Sequence, residues 1–247
     1  MKKRLDVTLV ERGLASSREK AQSLILAGQV LVNDEPVTKA GAAVTDSQQI
    51  RLREEEHPYV SRGGLKLEAA LVAFGIDPQG KIALDVGAST GGFTHVLLLR
   101  GIQRVHALDV GHNQMDWKIR SDARVKVYEG VNARHLDPAL LGEKVDLIVV
   151  DVSFISLSKI LPALIPVAHA QTDWITLVKP QFEVGREKVG KGGIVQSETD
   201  RQDCLARVKS DAESFGLSQV GLIDSPITGG KGNKEFLAHW RLGAISP

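Results

Sequence analysis

The chain has 247 residues, 43% hydrophobic and 25% charged, a balance that excludes a disordered, collagenous or fibrous protein. Its one cysteine, Cys204, excludes an internal disulfide and a cysteine-rich zinc site, and no metal is expected; aromatics at 4% argue against a sheet paved with base-stacking rings. The net charge of +1 divides unevenly, +3 over residues 1–53 and −2 over the remainder, so a basic front is expected to meet an anionic macromolecule.

The longest apolar run, Ile160 to Ala170, falls far short of the ~20 residues a membrane helix needs. The basic start Met1-Lys-Lys-Arg4 is followed by Asp6 and Glu11 instead of an apolar signal segment, so a cytoplasmic location is expected. Leu5, Leu9 and Val10 begin an amphipathic helix that Gly13 ends. Ser16 or Ser17 caps a second helix whose apolar face is Ala21, Leu24, Ile25 and Gly28. Val30–Val32 reads as a strand and Asn33-Asp34 as a turn. Val37, Val44 and Ile50–Leu52 supply further strand-like pieces, and Glu54 to Val60 reads as a linker. The spacing Arg4-Leu5-Asp6, Gly13-Leu-Ala-Ser-Ser-Arg18-Glu-Lys-Ala21, Val30-x-Val32-Asn33 and Pro36-Val37-x-Lys39 resembles the S4 RNA-binding domain. The resemblance implies a small α+β domain over 1–53 that sets Arg4, Arg12, Arg18 and Lys20 against folded RNA.

From residue 61 to 247 apolar strands alternate with helical stretches. Strands are expected at Lys81–Val86, Arg104–Val110, Val125–Tyr128, Val145–Val152, Trp174–Lys179, Ser218–Ile223 and Glu235–Leu242. Helices are expected at Leu65–Phe74, Gly92–Arg100, Leu157–Ala168 and Thr199–Phe215. This alternation specifies an α/β domain with a mainly parallel sheet covered on both faces. A Gly-rich loop without a helix joins the last two strands, so that pair is expected to be antiparallel. Seven strands with such a final pair resemble the Rossmann-like class I methyltransferases that use S-adenosylmethionine.

The first of these strands ends in Leu84-Asp-Val-Gly-Ala-Ser-Thr-Gly-Gly-Phe93. A Gly-rich turn from a first strand into a helix lets backbone approach a ligand closely. Ser89 stands where a dinucleotide fingerprint wants its second glycine, which disfavours a nicotinamide-dependent oxidoreductase. Asp85, Gly87, Gly91 and Gly92 resemble methyltransferase motif I instead, which implies that this turn, with Ala88, Ser89 and Phe93, receives the methionine part of the cofactor. Asp109 closes the second strand, where a carboxylate can accept hydrogen bonds from ribose hydroxyls. Asn132 and Ala133 lie where such enzymes receive the adenine.

The fourth strand ends in Asp151-Val-Ser-Phe154, without the Asn/Asp-Pro-Pro-aromatic motif of base-N methyltransferases and without a Pro-Cys nucleophile. What remains is Lys66, Asp151, Lys179 and Glu235, whose strand ends are expected to converge on the cofactor. Their order resembles the tetrad of FtsJ-type RNA ribose 2′-O-methyltransferases. With an S4 domain in front, and with Asp151-Val-Ser-Phe-Ile-Ser156 and Val178-Lys-Pro-Gln-Phe-Glu-Val-Gly185, the chain resembles the TlyA family over nearly its full length. That resemblance implies cytidine 2′-O-methylation in ribosomal RNA, with S-adenosylmethionine as cofactor. A lysine serves as base only where burial or a neighbouring cation favours its neutral form. Lys179 is assigned as base or hydroxyl-orienting group, Lys66 as holder of the target phosphate or ribose, and Asp151 and Glu235 as positioning groups. Arg62, and Arg186, Lys188 and Lys191 in a Gly-rich surface loop, are expected to meet RNA. The rival classes are an assembly factor with a silent methyltransferase fold and a membrane-active haemolysin. The intact tetrad opposes the first, and the lack of a spanning or basic amphipathic helix opposes the second.

Overall fold

The computed structural model describes residues 2–52, 57–229 and 232–243, and the chain divides into two compact units, Met1–Pro58 and Tyr59–Pro247. The expected linker over 54–60 falls partly on residues 53–56, which lie outside the described residues.

The first unit holds β1 (Lys3–Arg4), α1 (Leu5–Glu11), α2 (Arg18–Leu26), β2 (Val30–Val32), β3 (Glu35–Pro36), β4 (Ala43–Val44) and β5 (Ile50–Leu52). Ser17, not Ser16, caps α2, accepting from the Lys20 amide at 3.2 Å. Asn33 and Asp34 both take left-handed backbone, φ 51° and 67°, which suits the two-residue hairpin joining β2 to β3. The sheet order is β3-β2-β5, and β1 pairs separately with β4. Leu5, Leu9, Ala21, Ile25, Val30 and Val44 form its core.

The second unit contains α3 (Gly63–Phe74), β6 (Ile82–Val86), α4 (Gly92–Leu99), β7 (Arg104–Asp109), α5 (Trp117–Arg120), β8 (Val125–Glu129), β9 (Val145–Val150), α6 (Leu161–Leu164), β10 (Ala168–Val178), α7 (Pro180–Glu183), α8 (Glu198–Ser214), β11 (Leu217–Asp224) and β12 (Phe236–Leu242). Its seven strands lie in the order β11-β12-β10-β9-β6-β7-β8. All pairs from β10 to β8 are parallel, and β12 runs antiparallel to both of its neighbours. Side-chain alternation splits the core into two layers. Leu84, Val86, Ile148 and Val150 face α6 and α8; Ala83, Val105, Leu147 and Val149 face α3 and α4.

Three local differences have physical causes. The expected helix over 157–168 is broken into a 3₁₀ turn at Leu157–Lys159, the short α6 and a 3₁₀ turn at Ile165–Val167, because Pro162 and Pro166 each remove a backbone donor. β10 begins at Ala168, not Trp174, and carries a register irregularity before Asp173; there the Thr172 hydroxyl donates to the Val145 carbonyl at 2.6 Å. α5 has only four residues, too few to leave a periodicity in the sequence.

Candidate active site

The parallel strands end on one edge of the sheet, and three adjoining cavities open there. The largest, about 420 Å³, is lined by Gly87, Ser89, Asp109, Asn132, Ala133 and the segment Asp151–Ile155, among others. A second, about 190 Å³, lies between the Gly-rich turn and Ser61, Arg62 and Lys66; Ala88, Gly92, Phe93 and Asp151 complete its wall. A third, about 400 Å³, is lined by Arg62, Lys66, Ser153, Phe154, Lys179, Gln181, Phe182, Asn233 and Glu235. Asp151 borders the first two, Ser153 and Phe154 the first and third, so the three form one continuous cleft.

The Gly-rich turn is shaped for close approach. Gly87 has φ +83°, and a Cβ there would collide with the Asp151 carbonyl oxygen; a Cβ at Gly92 would collide with the Ser61 hydroxyl. Gly91, at φ +91°, starts α4 and packs against Ile119 instead of lining a cavity. Asp109 accepts from the Ser89 amide at 2.8 Å and from the Gly111 amide at 2.7 Å. Each of its oxygens can accept a further hydrogen bond, and Asp109 lines the largest of the three cavities. Asn132 caps the turn Ala133–His135 by accepting from the Arg134 amide at 3.1 Å.

Asp85 departs from expectation. It is fully buried, accepts from the Thr94 hydroxyl at 2.6 Å through one oxygen, and lines none of the three cavities. Its other oxygen has no partner. Burial, reinforced by the Asp151 charge, pushes its carboxyl up to about 7 against the opposing Thr94 hydrogen bond. In the structure it therefore anchors α4 from beneath the turn.

The tetrad residues do come together, as two ion pairs. Lys66 Nζ donates to Glu235 Oε2 at 2.6 Å, with the side chains only 8% and 3% exposed. Lys179 Nζ lies 2.5 Å from Asp151 Oδ1 and donates to the Ser153 hydroxyl at 3.0 Å. Each lysine thus has a carboxylate of its own, which limits the cost of burying two cations. Sequence reasoning gave no role to Ser153, Phe154, Gln181, Phe182 or Asn233. Phe154 carried one signal, an aromatic residue just past a strand end; it proves 90% exposed, and its ring lies 4.9 Å from that of Phe182.

The basic residues sort less simply. Arg4 and Arg18 both grip the buried Asp6, at 2.8 and 3.1 Å, and Gln22 adds a third donor at 3.0 Å. The Arg4 hydrogen bond above all, with those from Gln22 and Arg18, holds the Asp6 carboxyl well below its ordinary range despite burial. Both arginines remain about half exposed, whereas Arg12 is spent on the Gln48 and Asp46 carbonyls at 3.1 and 3.2 Å. Lys20 is exposed on α2. Arg62 borders two cavities and donates to the Thr228 carbonyl at 2.5 Å. The Gly-rich surface loop contains two 3₁₀ turns, Arg186–Lys188 and Lys191–Gly193. Asn233 staples it, donating to the Gly193 carbonyl at 2.8 Å and accepting from the Val195 amide at 3.0 Å. Lys188 is paired with Asp200 at 2.7 Å; Arg186 and Lys191 are exposed. Cys204 is buried in α8, its thiol pushed up to about 12 by desolvation.

A parallel sheet with one inserted antiparallel strand, a Gly-rich turn after its first strand and a cleft at the strand ends define a Rossmann-like methyltransferase fold. The family model for FtsJ-like methyltransferases matches residues 59–242, that for the S4 domain matches residues 3–50, and the chain belongs to the FtsJ-like methyltransferase family. It is 47% identical over 94% of its length to the 16S/23S rRNA (cytidine-2′-O)-methyltransferase TlyA of Mycobacterium tuberculosis, covering 87% of that protein. It is 44% identical to Hemolysin A of Brachyspira hyodysenteriae over 96% of this chain and 99% of that one. A solved structure assigned as a hemolysin from Streptococcus thermophilus superposes with a TM-score of 0.78 at 43% identity, over 98% of this chain and 89% of that chain. Among the described residues no helix is long and apolar enough to cross a membrane.

Proposed function

We propose that the protein methylates the ribose 2′-hydroxyl of a cytidine in ribosomal RNA, with S-adenosylmethionine as methyl donor. The observation that carries this reading is the meeting of Lys66–Glu235 and Lys179–Asp151 where the donor-sized cleft adjoins the third cavity. The residues fit that cofactor. Gly87 lets the turn pack against the Asp151 backbone at the cleft wall, Asp109 lines the cleft with acceptor capacity for ribose hydroxyls, and Asn132 and Ala133 line the part of it suited to adenine. When bound, the cofactor supplies an electrophilic methyl group on a sulfonium.

The chain's part is to orient a weak nucleophile and remove one proton. An ammonium gripped by a carboxylate at 2.5 Å acts as a hydrogen-bond donor, so the hydroxyl-orienting role suits Lys179 better than that of base. Its donation stabilises the negative charge that develops on the ribose oxygen. The proton shed by the hydroxyl passes to the Asp151 carboxylate beside Lys179, and Lys66, fixed by Glu235, holds the ribose or its phosphate. Half-exposed Arg4 and Arg18 with Lys20 on the first unit, and exposed Arg186 and Lys191 on the second, offer cations to phosphates, and Arg62 borders the cleft. Lys188, paired with Asp200, contributes less.

Transfer of label from S-adenosylmethionine to ribosomal subunits and to naked ribosomal RNA, with the product mapped by 2′-O-methyl-sensitive primer extension, tests this. Ribose label from the wild type and not from Lys179→Ala is the expected result. Label in a base would overturn the tetrad roles. No label on any RNA, with RNA binding intact, would overturn the reaction itself.

A further inference from the structure

The loops that leave β9 and β10 run side by side and touch at successive points. Lys179 meets Asp151 and Ser153, and the Phe182 ring meets that of Phe154. Beyond them Glu183, only 8% exposed, accepts from the Ser156 hydroxyl at 2.6 Å through Oε2 and from the Leu157 amide at 2.8 Å through Oε1. Between the two contacts sits Phe154 at φ +66°, left-handed backbone that is strained for a non-glycine residue. Its 90% exposed ring gains little from burial, so something else must hold the turn.

We propose that Glu183 is a positioning residue for methyl transfer: its buried carboxylate latches the 151–156 loop to the exit of β10, fixing Asp151, Ser153 and Phe154 at the junction of the cleft. This rests on the functional reading above. Burial pushes the Glu183 carboxyl above its ordinary range, with the two hydrogen bonds and Arg207 opposing. A carboxylate kept in such a place is costly, and an apolar side chain would serve packing alone at least as well. Glu183 lines none of the three cavities, so it acts through the loop and not on the substrate.

The test uses the full chain and the variants Glu183→Ala, Glu183→Gln, Ser156→Ala and Glu183→Ala/Ser156→Ala. In Glu183→Ala, kcat for methyl transfer to ribosomal RNA is expected to fall about tenfold while KM for RNA moves less than about threefold, because a group aligned only for the reaction is lost. Glu183→Gln keeps one acceptor and should fall between. The double variant should be no worse than Glu183→Ala, since that change already removes both hydrogen bonds of the latch. Hydrogen exchange over residues 152–158 should accelerate in Glu183→Ala, with the Leu157 amide freed. An unchanged kcat, additive losses in the double variant, or unaltered exchange over 152–158 would each overturn the latch. A wild type that methylates no RNA sinks the functional reading, and the exchange measurement still decides whether the latch exists.

Discussion

The Lys66–Glu235 pair separates what holds the unit together from what performs its chemistry. Its side chains are 8% and 3% exposed, so either charge left alone would be desolvated without its opposite charge. Breaking such a pair costs about 3–5 kcal/mol, whereas replacing both charges is close to neutral. For a unit of this size each kcal/mol lowers Tm by about 2–4 °C, so K66M should unfold roughly 6–20 °C below the wild type. K66M/E235Q removes both charges and keeps an amide beside Gln181, whose Nε2 lies 3.5 Å from Glu235 Oε1. It should recover most of that loss. Methyl transfer should not recover, staying on the order of 10²–10³-fold down in both variants, because the oriented cation is gone. Thermal unfolding by circular dichroism beside labelled methyl transfer reads both quantities. A K66M protein that melts within a degree or two of the wild type, or a double variant no more stable than the single, would refute the reasoning.

Three further outcomes follow from the geometry. Gly87→Ala should weaken binding of S-adenosylhomocysteine at least about tenfold by calorimetry, because the new methyl meets the Asp151 carbonyl and φ +83° is strained for alanine. Asp85 has an ordinary value of 3.8 and a folded value of about 7, so between those values the folded state binds more protons than the unfolded one. Stability is therefore lost as pH rises through that window, and the Tm advantage of Asp85→Asn over the wild type should grow from about pH 4 to 7. An advantage that stays flat over that range would remove the burial account. Asp6→Ala frees Arg4, Arg18 and Gln22 from their shared partner and should destabilise the first unit by about 2–4 kcal/mol, read by hydrogen exchange over residues 2–52. Unchanged protection there would show that Asp6 does not anchor that unit.

Much of this architecture was legible because it rests on periodicity. The run Val145–Val150 reads as a strand buried on both faces, and in the sheet it lies between β6 and β10. The helix-free link before residue 236 marks the antiparallel pair. The tetrad was legible as a set, but its pairing was not. Lys66 and Glu235 are 169 residues apart, and only the strand order decides which carboxylate each lysine meets. The burial of Asp85 was not legible for a related reason: its place in the motif gives the strand end but not which way the side chain turns. Arg4 and Arg18 look like free cations until the fold brings Asp6 beneath them. Phe154 was quoted as part of a motif, yet nothing in its type announces left-handed backbone.

Strand β12 slots between β10 and β11, both formed by earlier residues, and Glu235 immediately precedes it. A chain synthesised as far as residue 224 contains the Gly-rich turn, Asp109, Lys179 and Asp151, but not Glu235, the partner of Lys66. Closing the gap in the sheet and completing the tetrad are thus one event. A nascent or clipped chain lacking that strand would be an incomplete enzyme, so chemical competence reports that the sheet has been finished.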